Sequence, residues 1–130
     1  MNANLVLFVA LFSCVCGVAM GAESQDRYVR IAELEIDPAQ VDAFAAAARE
    51  VGQASVRSED GCLVLYAVAE KRVPGRVRVF EIYRDAAAYQ AHLQTPHFKK
   101  FRATTDALVR SRTLIDATPL SLATKPGAMP

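Results

Sequence analysis

The chain has 130 residues, of which 52% are hydrophobic, and a formal net charge of +1 at neutral pH. This length suits one domain and is too short for two. Acidic and basic residues are interspersed, without the basic stripe that nucleic-acid binding requires, so no DNA or RNA partner is expected.

The N-terminal segment is apolar. Leu5 to Ala22 carry no charged residue, and we interpret residues 1–21 as a secretory signal peptide cleaved near Ala19-Met20-Gly21. The same run is long enough for an uncleaved membrane anchor, and a weak lipobox that ends at Cys14 would allow lipid attachment. Each alternative predicts an exported domain, periplasmic or secreted or membrane-anchored. Contact with a membrane is expected only if the segment is retained.

The domain, residues 22–118, begins with a strand and a helix. Tyr28 to Ile36 alternate between apolar and polar residues, which is typical of a strand. Asp37-Pro38 then combines an N-cap residue with a proline at the first helical position. Apolar residues at helical spacing follow from Val41 to Val51 and predict one buried helix face.

A hairpin is predicted next. Cys62 to Ala69 form a strand that is apolar on both faces, which favours a strand covered on both sides. Pro74-Gly75 has the residue order of a type II turn and joins this strand to a third, Arg76 to Tyr83. If the N-terminal segment is removed, Cys62 is the one cysteine left, so the domain must be stable without a disulfide.

The last third of the domain is predicted to contain two helical segments and a strand. Asp85 caps a helix that runs to about Leu93, and Thr95-Pro96 interrupts it, because proline disfavours helical geometry in the preceding residue. A second helical segment and a strand from about Val109 to Thr118 follow. The tail, residues 119–130, is expected to be loose.

The predicted order is β-α-β-β-α-β, the pattern of an α+β ferredoxin-like fold with an antiparallel sheet. Two helices would cover one face of the sheet and leave an apolar second face that needs a cover. A second copy of the sheet would provide it, so we predict a homodimer with a closed α+β barrel. By alternation, that second face carries Val29, Ile31, Val64, Tyr66, Val77, Val79 and Tyr83.

Two stretches resemble the antibiotic biosynthesis monooxygenase domain family. The first runs from Val79 to Phe98 and contains Glu-x-Tyr-x-Asp and His-Leu-x-Thr-Pro-His-Phe. The second, Glu59 to Tyr66, is similar to the entry into the family's second strand. The resemblance covers residues 28–117 and implies a dimeric ferredoxin-like barrel. It also implies one of several activities, which include cofactor-free quinol or polyketide monooxygenation, haem degradation and sugar-phosphate isomerisation.

The residues favour one branch of that family. Haem degradation there relies on Asn, Trp and His, but this chain has no Trp, and its two asparagines, Asn2 and Asn4, lie in the N-terminal segment. A signal peptide disfavours a cytoplasmic sugar-phosphate isomerase. We therefore predict a cofactor-free monooxygenase that oxidises a quinol or other small phenol with O2. The alternative is a non-enzymatic periplasmic dimer that binds a small molecule in the same cavity. The chain contains no nucleotide-binding motif, and no cofactor is expected.

His92 and Glu81 are the predicted catalytic pair. His92 shares the inward side of its helix with Tyr89 and could be a general base or a packing residue at the edge of the core. Glu81 lies on an apolar strand face, where a carboxylate requires a partner. We predict that it hydrogen-bonds His92 and orients the imidazole.

The other candidate side chains are aromatic or cap a helix. His97 is interpreted as a cap or packing residue. A metal site formed with His92 is not expected, because the two lie five residues apart across a proline break. The predicted substrate-binding residues are Tyr66, Tyr83, Tyr89, His97 and Phe98.

Overall fold

The computed structural model describes residues 27–125. The predicted signal segment, its alternatives and the last five residues lie outside that range. None of the helices between residues 27 and 125 has the length and hydrophobicity needed to span a bilayer. The elements are β1 (Tyr28–Ile36), a 3-10 turn (Pro38–Gln40), α1 (Val41–Ser58), β2 (Cys62–Ala69), β3 (Arg76–Tyr83), α2 (Ala86–His92), α3 (Pro96–Thr105) and β4 (Val109–Ala117).

The four strands form one antiparallel sheet in the order β2-β3-β1-β4. This arrangement confirms the predicted ferredoxin-like fold. The central strand β1 pairs with β3 on one side and with β4 on the other, so that Arg30 has Glu81 as one cross-strand neighbour and Asp116 as the other. Three charged residues are thus aligned across the sheet.

Short polar side chains begin the helical segments. The carboxylate of Asp37 accepts a hydrogen bond from the N–H of Ala39 and caps the 3-10 turn that leads into α1. Asp85 caps α2 in the same way, through the N–H of Ala88. The hydroxyl of Thr95 accepts from the N–H of Phe98 at the start of α3. These caps satisfy N–H groups that have no partner within the helix.

The core lies between the helices and one face of the sheet. Phe44 of α1 and Thr105 of α3 are almost wholly buried there, and the rings of Phe44 and Phe101 meet edge to face. A second cluster, formed by Cys62, Tyr83 and Tyr89, joins α2 to the other end of the sheet. The two clusters leave a space between them, in which the candidate site lies.

The prediction for the faces of β3 was wrong. Val77, Val79 and Tyr83 lie on the helix-covered face, since they pair with Leu34, Ala32 and Tyr28 of β1, and all three are buried. Both faces of β3 are apolar, so alternation could not distinguish them. The open face nevertheless carries the predicted apolar surface, with Tyr66 and Phe80 exposed. Its large apolar members are Val29, Ile31, Val64, Tyr66, Val68, Phe80, Ile82 and Ile115.

Two glycines permit close approaches of the chain. Gly75 has a φ of 90°, which suits the predicted turn, and a Cβ there would lie 2.3 Å from the carbonyl oxygen of Ile36. A Cβ on Gly61 would lie 2.4 Å from the Cβ of Ala88. Gly61 therefore allows α2 to pack directly against the loop between α1 and β2.

Candidate active site

A cavity of about 260 Å³ lies between the sheet and the helices. Most of its wall is apolar, and the polar side chains that reach it are few. They are Arg30, Glu81 and Arg112 from the sheet, Tyr89 and His92 from α2, and Arg102 from α3. Such a cavity is typical of a site for a small, mostly apolar ligand. The apolar side chains of the wall are Ala32, Leu34, Ala48, Val51, Leu65, Ala67, Val79, Leu93, Phe98, Phe101 and Leu114.

His92, the last residue of α2, is fixed from two sides. Its side chain is 2% exposed, and its ring packs against Phe98 and Tyr83, with centroid distances of 4.7 and 5.4 Å. Nδ1 lies 3.0 and 3.1 Å from the two carboxylate oxygens of Glu59. Nε2 makes no hydrogen bond to any of residues 27–125. The imidazole is thus held at one nitrogen and unpaired at the other, beside the cavity.

Glu59 follows α1 directly, and its backbone N–H bonds the carbonyl of Ser55. Burial on its own would raise the pKa of Glu59, but hydrogen bonds from His97 and His92 outweigh burial and hold that pKa below its usual value. The carboxylate is therefore ionised at neutral pH and can only accept hydrogen bonds. This assigns the proton of neutral His92 to Nδ1 and leaves a lone pair on Nε2.

His97 meets the same carboxylate. Its Nε2 lies 2.5 Å from Oε1 of Glu59, and its side chain is 20% exposed. The prediction that the proline break separates the two histidines was wrong. Because α2 ends at His92 and α3 begins at Pro96, a turn separates the two histidines, and their ring centroids lie 6.3 Å apart. Helical spacing does not apply across a turn.

Glu81 does not hydrogen-bond His92, so the predicted pairing was also wrong. It accepts a hydrogen bond of 2.9 Å from the hydroxyl of Tyr83, two residues along the same strand. Burial raises the pKa of Glu81, while the hydrogen bond from Tyr83 and the charges of His92 and Arg30 act in the opposite direction. Glu81 nevertheless reaches the wall of the cavity.

The predicted substrate-binding residues lie in three different places. Tyr89 and Phe98 line the cavity together with His92. Tyr83 is fully buried behind Glu81, and His97 lies behind Glu59, so neither forms part of the wall. Tyr66 lies on the opposite face of the sheet and is 42% exposed. Tyr66 therefore lies on the face predicted by alternation and does not line this cavity.

Two residues of the site were not predicted. Glu59 was noted only as part of a family motif, and no spacing rule relates it to His92, 33 residues away. Arg30 could have been found, since strict alternation along β1 places it on the same side as Ala32 and Leu34. Its side chain is 16% exposed, which is unusual for arginine.

Glu59, His92 and His97 are also of the residue types that bind divalent metals, and one donor atom of each lies within 4.8 Å of the others. Two ligands of a tetrahedral zinc ion, each about 2.0–2.1 Å from the metal, would lie roughly 3.3 Å apart. The contacts of 2.5 and 3.0 Å that Glu59 makes are shorter. They are hydrogen-bond distances, so this cluster has the geometry of a carboxylate between two imidazoles.

The family model for antibiotic biosynthesis monooxygenase matches residues 27–104. The chain belongs to this family. The match includes both motifs noted in the sequence and every residue of the Glu59–His92–His97 cluster. No curated protein matches the chain.

Solved structures agree with this assignment. A candidate antibiotic biosynthesis monooxygenase from Bacteroides thetaiotaomicron is 45% identical, with a TM-score of 0.74, over 78% of this chain and 97% of that chain. A candidate monooxygenase from Lactobacillus acidophilus is 26% identical, with a TM-score of 0.67, over 72% of this chain and 48% of that chain. A member from Nitrosomonas europaea, at 24% identity and a TM-score of 0.70, shows the shared fold. The family and these neighbours support a monooxygenase-type function.

Proposed function

We propose that this protein is a cofactor-independent monooxygenase that oxidises a quinol or another small phenol with O2. The observation that carries the proposal is the Glu59–His92 hydrogen bond, which leaves Nε2 of a buried imidazole unpaired at an apolar cavity. A base in such a place can remove a phenolic proton near neutral pH. Glu59 then stabilises the imidazolium that forms, as carboxylates do in catalytic dyads.

The proposed reaction begins when Nε2 of His92 takes the proton of a bound phenol. The electron-rich phenolate reduces O2, and a carbon–oxygen bond forms on the ring. For a quinol, one oxygen atom enters the ring and the other leaves as water, so quinol and O2 give a hydroxyquinone and water. The apolar wall keeps solvent away from the oxygenated intermediate.

The proposal includes an exported homodimer. The open sheet face supports the dimer, because Tyr66, Phe80 and Ile115 are large side chains that are between 38% and 42% exposed. A second copy packed on this face would remove that surface from water. Export is supported by the uncharged apolar run at the N-terminus.

Oxygen uptake with a panel of hydroquinones and naphthols tests the proposal. We expect uptake by the wild-type protein and a fall of about 10²- to 10⁴-fold in the His92→Gln variant. Lys100→Gln, at a solvent-exposed ion pair with Glu50, is the control and should keep full activity. Unchanged uptake by His92→Gln would reject the assigned base. Saturable binding without uptake by the wild type would favour a non-enzymatic carrier.

A further inference from the structure

Arg30 places a guanidinium with unpaired donors in the wall of the same cavity. It projects from β1 into the layer between the sheet and the helices, where its side chain is 16% exposed. The carbon at the centre of the guanidinium lies 4.7 Å from the centroid of the Tyr89 ring. A cation at this distance from an aromatic ring is stabilised by it.

One nitrogen of this guanidinium is satisfied. Nη1 donates a hydrogen bond of 2.9 Å to the hydroxyl of Tyr28 and lies 3.2 Å from a carboxylate oxygen of Asp116. Nε is buried and has no acceptor among residues 27–125, and Nη2 donates to none of them. Buried donors in folded proteins almost always have a partner. The edge formed by Nε and Nη2 therefore lacks an acceptor.

The neighbouring carboxylate, that of Glu81, does not provide the missing acceptor for Arg30. Glu81 is the cross-strand partner of Arg30, and both side chains reach the cavity. Glu81 instead accepts the hydroxyl of Tyr83, and no hydrogen bond or ion pair joins it to Arg30. The carboxylate that does pair with Arg30 belongs to Asp116, whose side chain is 69% exposed. The side chain of Arg30 forms part of the cavity wall.

We propose that Arg30 binds an oxygen atom of the cavity ligand through Nη2, a donor that has no partner among residues 27–125. The ligand then has two polar contacts, a hydroxyl that gives its proton to His92 and a second oxygen that accepts from Arg30. This selects dioxygenated aromatic rings, such as hydroquinones, over phenols with a single oxygen. The inference rests on the proposed function, because it assumes a phenolic ligand.

Anaerobic calorimetry with two ligands of matched size tests this assignment without turnover. Hydroquinone has a second hydroxyl where 4-methylphenol has a methyl group. We expect Arg30→Met to weaken hydroquinone binding about 10- to 100-fold and to change 4-methylphenol binding less than about threefold. Arg110→Met, at a surface ion pair with Asp37, is the control and should leave both affinities unchanged.

Equal losses for the two ligands, or no loss for either, would overturn the proposal. If Arg30→Met does not fold, the affinities of the wild-type protein for the two ligands test the proposal instead. It must prefer hydroquinone over 4-methylphenol by more than their water-to-octanol partition predicts, and the absence of that preference refutes the role of Arg30. A preference for hydroquinone over 4-methylphenol without oxygen uptake would reject the proposed monooxygenase activity and leave the Arg30 contact supported. A failure of the proposed function can thus be distinguished from a failure of the Arg30 proposal.

Discussion

The carboxylate of Glu59 lies 3.0 Å from Nδ1 of His92, although 33 residues separate them in the chain. The contact joins the C-terminal end of α1 to the C-terminal end of α2. It depends on how closely α2 packs against the loop after Glu59, and Gly61 in that loop sets this distance.

Substitution of Gly61 by alanine should therefore disturb the site. The new Cβ would lie 2.4 Å from the Cβ of Ala88, and α2 would have to move away from Glu59. We expect a loss of about 1–3 kcal/mol in the free energy of unfolding, as for other overpacked positions, and lower turnover. Urea denaturation and oxygen uptake measure the two effects.

A second substitution, at Ala88, tests whether the clash between the two Cβ atoms causes this loss. Ala88→Gly by itself costs about 1 kcal/mol, because glycine is a poor helix former. In the Gly61→Ala background it should instead restore part of the lost stability, since it removes the clashing atom. Strictly additive losses in this double-mutant cycle would show that the two residues do not limit each other's packing.

Glu81→Gln should stabilise the protein at neutral pH. Burial raises the pKa of Glu81 in the folded state, so the folded state holds its proton more tightly than the unfolded state does. Stability is then lost as the pH rises through the folded pKa, and glutamine removes that loss while it still accepts from Tyr83. Thermal unfolding at pH 7 should show a higher Tm for the variant.

The advantage of Glu81→Gln should vanish below about pH 4, where the carboxyl group is protonated in both states. Glu33→Gln is the matched control, because Glu33 is a strand residue whose side chain is 47% exposed in a surface ion pair. Glu33→Gln should not raise the Tm at pH 7. A lower Tm for Glu81→Gln at pH 7 would contradict the assignment of a buried, costly charge.

Glu59→Gln should destabilise the protein at neutral pH, in contrast to Glu81→Gln. Despite burial, hydrogen bonds from His97 and His92 hold the pKa of Glu59 below its usual value. The stability that this carboxylate contributes is present above about pH 4.3, the usual pKa of glutamate, and is lost as the pH falls through the folded pKa. At pH 7 we expect the variant to lose about 1–3 kcal/mol, because one imidazole N–H loses its acceptor.

Urea denaturation at pH 7 and at about pH 3 compares the two proteins. The difference in unfolding free energy should shrink at the lower pH. Glu50→Gln, at an exposed ion pair with Lys100, should differ little from the wild type at either pH. A loss that stays constant with pH would mean that the charge of Glu59 is not responsible.

Phe80→Glu should dissociate the proposed dimer. Phe80 lies on the open face of the sheet and is 38% exposed, so a charge there would be buried if a second copy covered the face. Sedimentation velocity should show a dimer for the wild type and a monomer for the variant. Val56→Glu, on an exposed part of α1, should remain dimeric. A monomeric wild type would reject the dimer directly.

Local signals in the sequence predicted most of the fold. The bounds of β2 and β3 agree with prediction, because Pro74-Gly75 marks the turn and apolar runs fill both strands. Asp37, Asp85 and Thr95-Pro96 marked the starts of the helical segments for reasons that are entirely local. The faces of β3 were not predictable in this way, since its register against β1 depends on long-range pairing.

The candidate site was predicted less well. His92, Glu81, Tyr89 and Phe98 reach the cavity as expected, since helical and strand periodicity decide which side a residue faces. The hydrogen-bond partners were wrong. Which carboxylate meets His92 depends on the tertiary approach of α1 to α2, and no periodicity within either helix contains that information.

The length of α1 also affects which carboxylate meets His92. Successive residues of a helix are rotated by about 100°, and α1 places Glu59 immediately after 18 helical residues. Deleting or inserting one residue between the packed face of α1 and Glu59 would rotate the carboxylate to another side of the helix axis. The length of α1 therefore determines whether Glu59 points at His92. Engineered insertions and deletions in this domain should avoid residues 41–59.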